Sequence, residues 1–152
     1  MRRKEKEITE KSAMEAIIRK ASVCRLALSQ DNLPYIVPLC FGYEENTLYF
    51  HTACEGEKLD ILEKNQNVCV EFDIDHEIVK AENACKWGMK YRSVIGFGTA
   101  SVIGDRESKR HALDIIMRHY SEGPFEFPEE LVEKIVVIKV EIARMTGKKS
   151  GY

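Results

Sequence analysis

The apolar positions near the start of the chain repeat with the period of a helix. This stripe consists of Met14, Ile17, Ile18 and Ala21, spaced at i, i+3, i+4 and i+7. Ser12 and Glu15 stand three residues apart just where the stripe begins, which is the spacing of a capping box. The pattern therefore predicts a short amphipathic helix over about residues 13–21, with its apolar face against the core.

Beyond this helix the apolar period shortens to two, which is typical of half-buried strands. Strands are predicted over residues 23–29, 34–43, 47–51, 68–73, 91–103 and 135–142. The polar segments 30–32 and 44–46 have the composition of turns, so the first three strands should form a meander of hairpins. Pro38 cannot donate a ladder hydrogen bond, and we therefore expect it at a sheet edge or a bulge.

Two more helices are predicted between these strands. Residues 56–64 form the first, and the second carries a stripe of Leu113, Ile116, Met117 and Tyr120. Residues 76–90 have no clean period, and residues 123–128 have the composition of a loop. Six or seven strands with three short helices predict a mainly β domain with helices on its outside. The alternation alone does not distinguish a barrel from a sandwich.

Composition narrows the class of protein. With 152 residues, 44% hydrophobic and 32% charged, the chain has the size and balance of one globular domain covering residues 1–152. The net charge of −2 gives no global field for nucleic acid or a membrane surface. The basic start, with Arg2 and Arg3, is interrupted by Glu5 and Glu7 and is interpreted as solvated.

The five cysteines contain no CxxC pair, and no apolar run follows the basic start. We therefore expect neither a disulfide framework nor a metal site, and a cytoplasmic location.

Two segments carry the candidate chemistry. Residues 91–100 form a strand of β-branched and aromatic residues, in which Gly96 and Gly98 leave room for a flat ligand or for another backbone. Residues 51–58 are predicted to turn from a strand end into a helix, with Lys58 in its first turn. The helix dipole disfavours a cation there unless an anion lies nearby, so a phosphate is the natural ligand.

Together with residues 25–28 and 35–39, these segments resemble the pyridoxamine 5'-phosphate oxidase-like split barrels that bind flavin mononucleotide (FMN). Within that superfamily the chain is most similar to the nitroimidazole resistance proteins. The resemblance implies an FMN-binding split barrel, that is, a Greek-key-type antiparallel β-barrel with short helices. It also implies a homodimer with the flavin at the subunit interface.

The resemblance further implies a set of site residues. Lys58, Thr52 and Ser93 match positions that contact the phosphate or ribityl chain, although a solvated lysine and ordinary cross-strand hydroxyls are the alternatives. The remaining cofactor positions are Arg25, Val37, Pro38, Leu39, His51, Cys85, Trp87 and Val94. Arg25 would act near the ring or form a surface salt bridge, and Trp87 would wall off the ring or be buried in the core.

His51 is the candidate catalytic residue, because imidazole can donate a proton near neutral pH. A structural role for it is the alternative. The function expected from the resemblance is electron transfer from a reduced nicotinamide donor to a small-molecule acceptor such as a nitroaromatic or a quinone. The alternatives are a non-catalytic flavin, heme or deazaflavin binding protein, and a pyridoxamine 5'-phosphate oxidase.

Overall fold

The computed structural model describes residues 4–152, so Arg2 and Arg3 of the predicted solvated start lie outside the described residues. Within this range eight strands share one sheet. They are β1 (Glu7–Ile8), β2 (Cys24–Gln30), β3 (Leu33–Leu39), β4 (Gly42–Glu44), β5 (Thr47–Thr52), β6 (Asn67–Val79), β7 (Gly88–Ile103) and β8 (Val136–Ser150). The α-helices are α1 (Lys11–Lys20), α2 (Glu57–Lys64), α3 (Arg106–Tyr120) and α4 (Glu129–Glu133). Short 3-10 turns occupy Lys4–Lys6 and Ala84–Lys86.

Every strand pair is antiparallel, and the order across the sheet is β3-β2-β6-β7-β8-β5-β4, with β1 added to the far end of β8. Two-residue turns close the β2–β3 and β4–β5 hairpins, at Asp31-Asn32 and Glu45-Asn46. All four turn residues have positive φ, which is the geometry that matches the twist of a hairpin. Both predicted hairpin turns are therefore confirmed, but the predicted meander is wrong, because β3 and β4 lie at opposite ends of the strand order and do not pair. Pro38 lies in the edge strand β3, as expected.

One main core lies on the inner face of the sheet. Alternate residues of β2, β6 and β7 fill it, including Leu26, Val70, Phe72 and Val94, and each is almost completely buried. Helix α1 covers this core with Ile17 and Ile18. A second set of buried residues lies outside that cluster and joins α3 and α4 to the sheet: Ala112, Ile115, Ile116, Val132 and Val137. Helix α3 contacts β4 and β5, whereas α1 covers the core on the inner face.

The end of α3 is tied to the β2–β4 region by polar contacts. Tyr120 Oη accepts the Phe41 amide at 3.0 Å and donates to the Ser22 carbonyl at 3.0 Å. His119 Nε2 donates to the Ala21 carbonyl at 2.7 Å. Phe41 is therefore held outside the ladder, which is why the predicted strand 34–43 is in fact two strands, β3 and β4.

The predicted capping box of α1 is wrong. The helix begins at Lys11, so Ser12 lies inside it, and no side chain caps its start. Glu15 instead accepts a hydrogen bond from Tyr43 Oη at 3.1 Å and forms ion pairs with Lys11 and Arg19. Capping spacing alone did not identify the first helical residue.

The segment 76–90 is also more regular than its pattern suggested. β6 and β7 continue as a paired hairpin as far as Val79 and Gly88. A register shift lies between Ile74 and Glu77, where Asp75 has φ 58°. Such a bulge moves the following side chains to the opposite face, so the alternation is broken in the sequence although the strand continues.

Three further differences concern β8, β1 and α4. β8 extends to Ser150 instead of ending at residue 142, and neither β1 nor α4 was predicted. β1 is two residues long and α4 five, which is too short for a periodic signal. No helix among residues 4–152 is both long and apolar enough to cross a membrane.

Candidate functional site

The start of α2 is a helix terminus with free backbone donors. Gly56 precedes the helix with φ 140°, a conformation that glycine adopts easily, and no side chain caps the helix. The Gly56 carbonyl accepts the Leu59 amide at 2.8 Å, so the amides of Glu57 and Lys58 precede the first helical hydrogen bond. This end of α2 can therefore receive an anion.

Lys58 adds a cation to the same helix start. Its side chain is half-buried and, within residues 4–152, forms no ion pair. Glu55 and Glu57 are both exposed. A half-buried cation that no carboxylate of the described chain neutralises has its charge available for a bound anion.

His51 and Thr52 end β5, four residues before α2 begins. His51 pairs with Val137 and is exposed, whereas Thr52 pairs with Val136 and is only 8% exposed. Successive strand residues face opposite sides, so only one of the two can face a given ligand through its side chain. The turn after Thr52 borders a cavity of about 580 Å³, which is also lined by Leu59, Ala100 and Val102.

A second group of predicted residues lies on the outer face of the sheet. Arg25 pairs with Pro38 on one side and with Glu71 on the other, and Asp73 pairs with Ser93. Arg25 Nη1 donates to Glu71 Oε2 at 2.9 Å and also binds Asp73. The structure thus brings Arg25, Pro38 and Ser93 together.

The charge of Arg25 is balanced by its own neighbours. Asp73 in turn contacts His76 Nε2 at 2.6 Å. Partial burial, and then the adjacent Asp73 charge, raise the pKa of Glu71, while the Arg25 guanidinium opposes that shift. Residue-by-residue reasoning missed Glu71, Asp73 and His76. The signal that was available is the pair of carboxylates alternating with core residues along β6.

Three of the predicted site residues have side chains that face the core, so these side chains cannot contact a ligand on the outer face of the sheet. Val94 is fully buried in the core, and Val37 and Leu39 pack against it from the edge strand. Only backbone atoms of these residues can meet a ligand from outside. Pro38, between the last two, is exposed.

Gly96 and Gly98 of β7 allow other atoms of the protein to pack closely against this strand. A Cβ at Gly98 would overlap the Glu141 carbonyl oxygen, and a Cβ at Gly96 would lie 2.8 Å from Val70 Cγ2. Of the two explanations that the sequence left open, close approach of another backbone accounts for Gly98.

Cys85 and Trp87 lie at the tip of the β6–β7 hairpin. Trp87 is 51% exposed, with its indole Nε1 donating to the Ala81 carbonyl at 2.7 Å, so it is not a buried core residue. Ala100, beside the α2 cavity, is eleven residues along β7 from Met89, or roughly 36 Å at about 3.3 Å per residue. Within one chain, the hairpin tip and the α2 start therefore cannot contact one small ligand.

These features define an antiparallel split barrel. Its fifth strand is followed by a helix whose N-terminus can bind an anion. Residues 10–149 match the family model described as pyridoxamine 5'-phosphate oxidase. The chain therefore belongs to the pyridoxamine 5'-phosphate oxidase family, and the predicted split-barrel fold is confirmed.

Among solved structures, the chain is 40% identical to a candidate 5-nitroimidazole antibiotic resistance protein from Bacteroides thetaiotaomicron. That match covers 94% of this chain and 86% of the other, with a TM-score of 0.85. The flavocytochrome Anf3 from Azotobacter vinelandii is 21% identical, with coverage of 96% and 70% and a TM-score of 0.84. The FAD and heme binding protein from Mycobacterium smegmatis is also 21% identical, with coverage of 97% and 74% and a TM-score of 0.86. These last two show the fold alone. No curated protein matches the chain.

Proposed function

We propose that the protein is an FMN-binding flavoprotein that passes electrons from a reduced nicotinamide to a small oxidised acceptor, such as a nitroaromatic or a quinone. The observation that carries this proposal is the start of α2, where the first backbone amides and Lys58, which forms no ion pair within residues 4–152, suit a terminal phosphate. The 40% identical relative, described as a nitroimidazole resistance candidate, supports the class of acceptor.

The residues of this chain would share the work of binding. The Lys58 ammonium and the α2 amides would hold the phosphate, with the Thr52 hydroxyl as a further donor. Ser93, in the Arg25 group on the outer face, would contact the ribityl chain. β3 is an edge strand, so part of the backbone of residues 37–39 has no partner strand and can bond to a ring. The bound flavin would supply the redox chemistry itself.

His51 is the proposed proton donor to the acceptor. Its imidazole is exposed, lies at the strand end next to the phosphate turn, and makes no side-chain hydrogen bond or ion pair within residues 4–152. An exposed imidazole can act as a proton donor, and the reduction of a nitro group or a quinone requires one.

We further propose a homodimer with the flavin at the subunit interface. The outer face of the sheet exposes large apolar residues on two strands, among them Ile36 at 63%, Ile95 and Phe97. A second copy would cover this face, and a two-fold dimer is the commonest way to do so. The separation between the α2 start and the hairpin tip is a second argument, because a partner is needed to bring them together.

Anaerobic spectroscopy of the purified protein tests the proposed activity. We expect flavin absorption that a reduced nicotinamide bleaches and that a nitroaromatic or quinone then restores. A flavin that no reduced nicotinamide bleaches would contradict the electron-transfer role. A Soret band would indicate a heme-binding protein, and turnover of pyridoxamine 5'-phosphate would indicate the oxidase activity in its place.

A further inference from the structure

A groove lies between helix α1 and the sheet, where the helix packs across β6, β7 and β8. Its volume of about 570 Å³ is in the range of small-molecule sites. The walls of this α1 groove are apolar, with Ile8 and Ile74 from the sheet and Ala13, Ala16 and Ile17 from the helix. Ala13 and Ala16 are exposed, so their small side chains leave the space open.

The α1 groove is on the opposite side of the sheet from the proposed cofactor contacts. Arg92, which lines the groove, precedes Ser93 in β7, and successive strand residues face opposite sides. Ser93 belongs to the outer Arg25 group, whereas Arg92 is two residues from the buried Val94 and shares its inner side. A ligand in the groove would therefore occupy a site separate from the one proposed for the flavin.

Arg92 has hydrogen-bond donors available at this groove. Its Nη1 contacts Asp75, and its guanidinium lies 4.0 Å from the centre of the Tyr152 ring. Tyr152 Oη donates to the Asp75 carbonyl at 2.6 Å, which fixes the ring against the guanidinium. Within residues 4–152, neither Nε nor Nη2 of Arg92 donates to an acceptor. These two atoms can hold a carboxylate through a pair of parallel hydrogen bonds.

Two lysines add positive charge beside Arg92. Lys20 Nζ contacts Asp75 Oδ1 at 2.5 Å. Lys149 pairs with Arg92 across the ladder, is exposed, and forms no ion pair among the described residues. Lys20, and after it Arg92, lower the pKa of Asp75, so this carboxylate is ionised and already shared by two cations. Three cations and one carboxylate at this end of the groove favour a bound anion.

The opposite end of the α1 groove limits the charge of that anion. Glu7 and Glu10 line the groove beside β1. Glu10 precedes α1 and Lys20 ends it, so roughly 15 Å separate them at about 1.5 Å per residue. Over the whole groove the three cations face three carboxylates, which disfavours a ligand with two negative charges. A singly charged acid with an apolar body suits both the charges and the walls.

We propose that the α1 groove binds a small organic monocarboxylate, with its carboxylate on Arg92 and Lys149 and its apolar body against α1. The site is additional to the proposed electron transfer, which uses none of these residues. A bound acid would link α1 to β7 and β8 and so stabilise the folded chain.

Titration with hexanoate tests the proposal, followed by NMR of the ¹⁵N-labelled full chain. We expect saturable shifts at millimolar concentrations, in α1 and around Arg92 and Tyr152. Hexanamide has the same length without the charge, and inorganic phosphate has charge without an apolar body. Each should bind at least about 10-fold more weakly than hexanoate.

Two variants locate the binding site. Lys149→Glu offers the Arg92 donors a carboxylate of the chain itself and should weaken hexanoate binding by at least about 10-fold. Ala16→Phe fills the groove from an exposed helix position and should abolish binding without removing a core contact. The matched controls are Lys134→Glu, at the other end of β8, and Ser12→Phe, on α1 but outside the groove lining. Both should bind hexanoate like the wild type, with circular dichroism to confirm folding.

Three results would overturn the proposal: no binding by the wild type, shifts that map outside the groove, or equal binding of hexanoate and hexanamide. Full binding by Lys149→Glu or Ala16→Phe would also contradict it. Adding FMN should leave the hexanoate affinity unchanged, because the two sites lie on opposite sides of the sheet, and competition would refute a separate site. Hexanoate binding by a protein without flavin would support the groove and leave the proposed function to its own test.

Discussion

Replacing Lys58 with alanine removes the one side-chain cation proposed for the cofactor phosphate. A charge-assisted hydrogen bond contributes about 1.5–3 kcal/mol, which corresponds to a loss of about 10- to 140-fold in FMN affinity. Lys58 is half-buried rather than enclosed, so we expect a value in the lower part of that range. Because it makes no ion pair within residues 4–152, the free energy of unfolding should change by less than about 0.5 kcal/mol.

Fluorescence titration of the cofactor-free protein with FMN and with riboflavin measures this effect. Riboflavin lacks the phosphate, so its affinity should be the same in Lys58→Ala and in the wild type. Lys64→Ala is the matched control, because it removes an exposed lysine from the opposite end of the same helix. Equal weakening of both ligands, or a similar loss in the control, would refute the phosphate role of Lys58.

Three further predictions concern stability and turnover. Burial and the Glu15 hydrogen bond raise the pKa of Tyr43 from 10.0 to about 12. The neutral phenol therefore stabilises the folded state below pH 10, and this stabilisation is lost as pH rises toward 12. Because Tyr43 is only partly buried, solvent screening reduces the effect, and urea unfolding should show an alkaline loss of stability smaller in Tyr43→Phe by about 1 kcal/mol. An unchanged loss would contradict this. Gly98→Ala should destabilise by about 1–3 kcal/mol through overlap with the Glu141 carbonyl, whereas Gly104→Ala, with open space around it, should change little in the same assay. His51→Gln should leave FMN bound and reducible but slow acceptor reduction by roughly 100-fold in stopped-flow measurements, and an unchanged rate would favour a structural role.

Much of the fold was accessible from the sequence, because hydrophobic alternation reports the burial of each strand directly. The hairpin turns at Asp31-Asn32 and Glu45-Asn46 were also predictable, since polar turn residues tolerate the positive φ that such turns require. The bulge at Asp75 was not, because one extra residue inverts the pattern that identifies a strand. The capping box failed because the same spacing occurs when Ser12 lies inside the helix.

The candidate site was predictable only in part. The turn from β5 into α2 around Lys58 is local, so its geometry follows from neighbouring residues. The ion pairs of Arg25 with Glu71 and Asp73 join residues far apart in sequence, and only the sheet register brings them together. The same holds for Gly98, whose need for space arises from the β8 backbone.

Mass spectrometry of the chromophore released from purified protein tests the central claim most directly. The account predicts FMN, at close to one molecule per chain, because the site proposed at the α2 start and Lys58 would hold a single terminal phosphate. Release of FAD, heme or a deazaflavin in its place, or of no chromophore from a protein that also fails to bind added FMN, would contradict it.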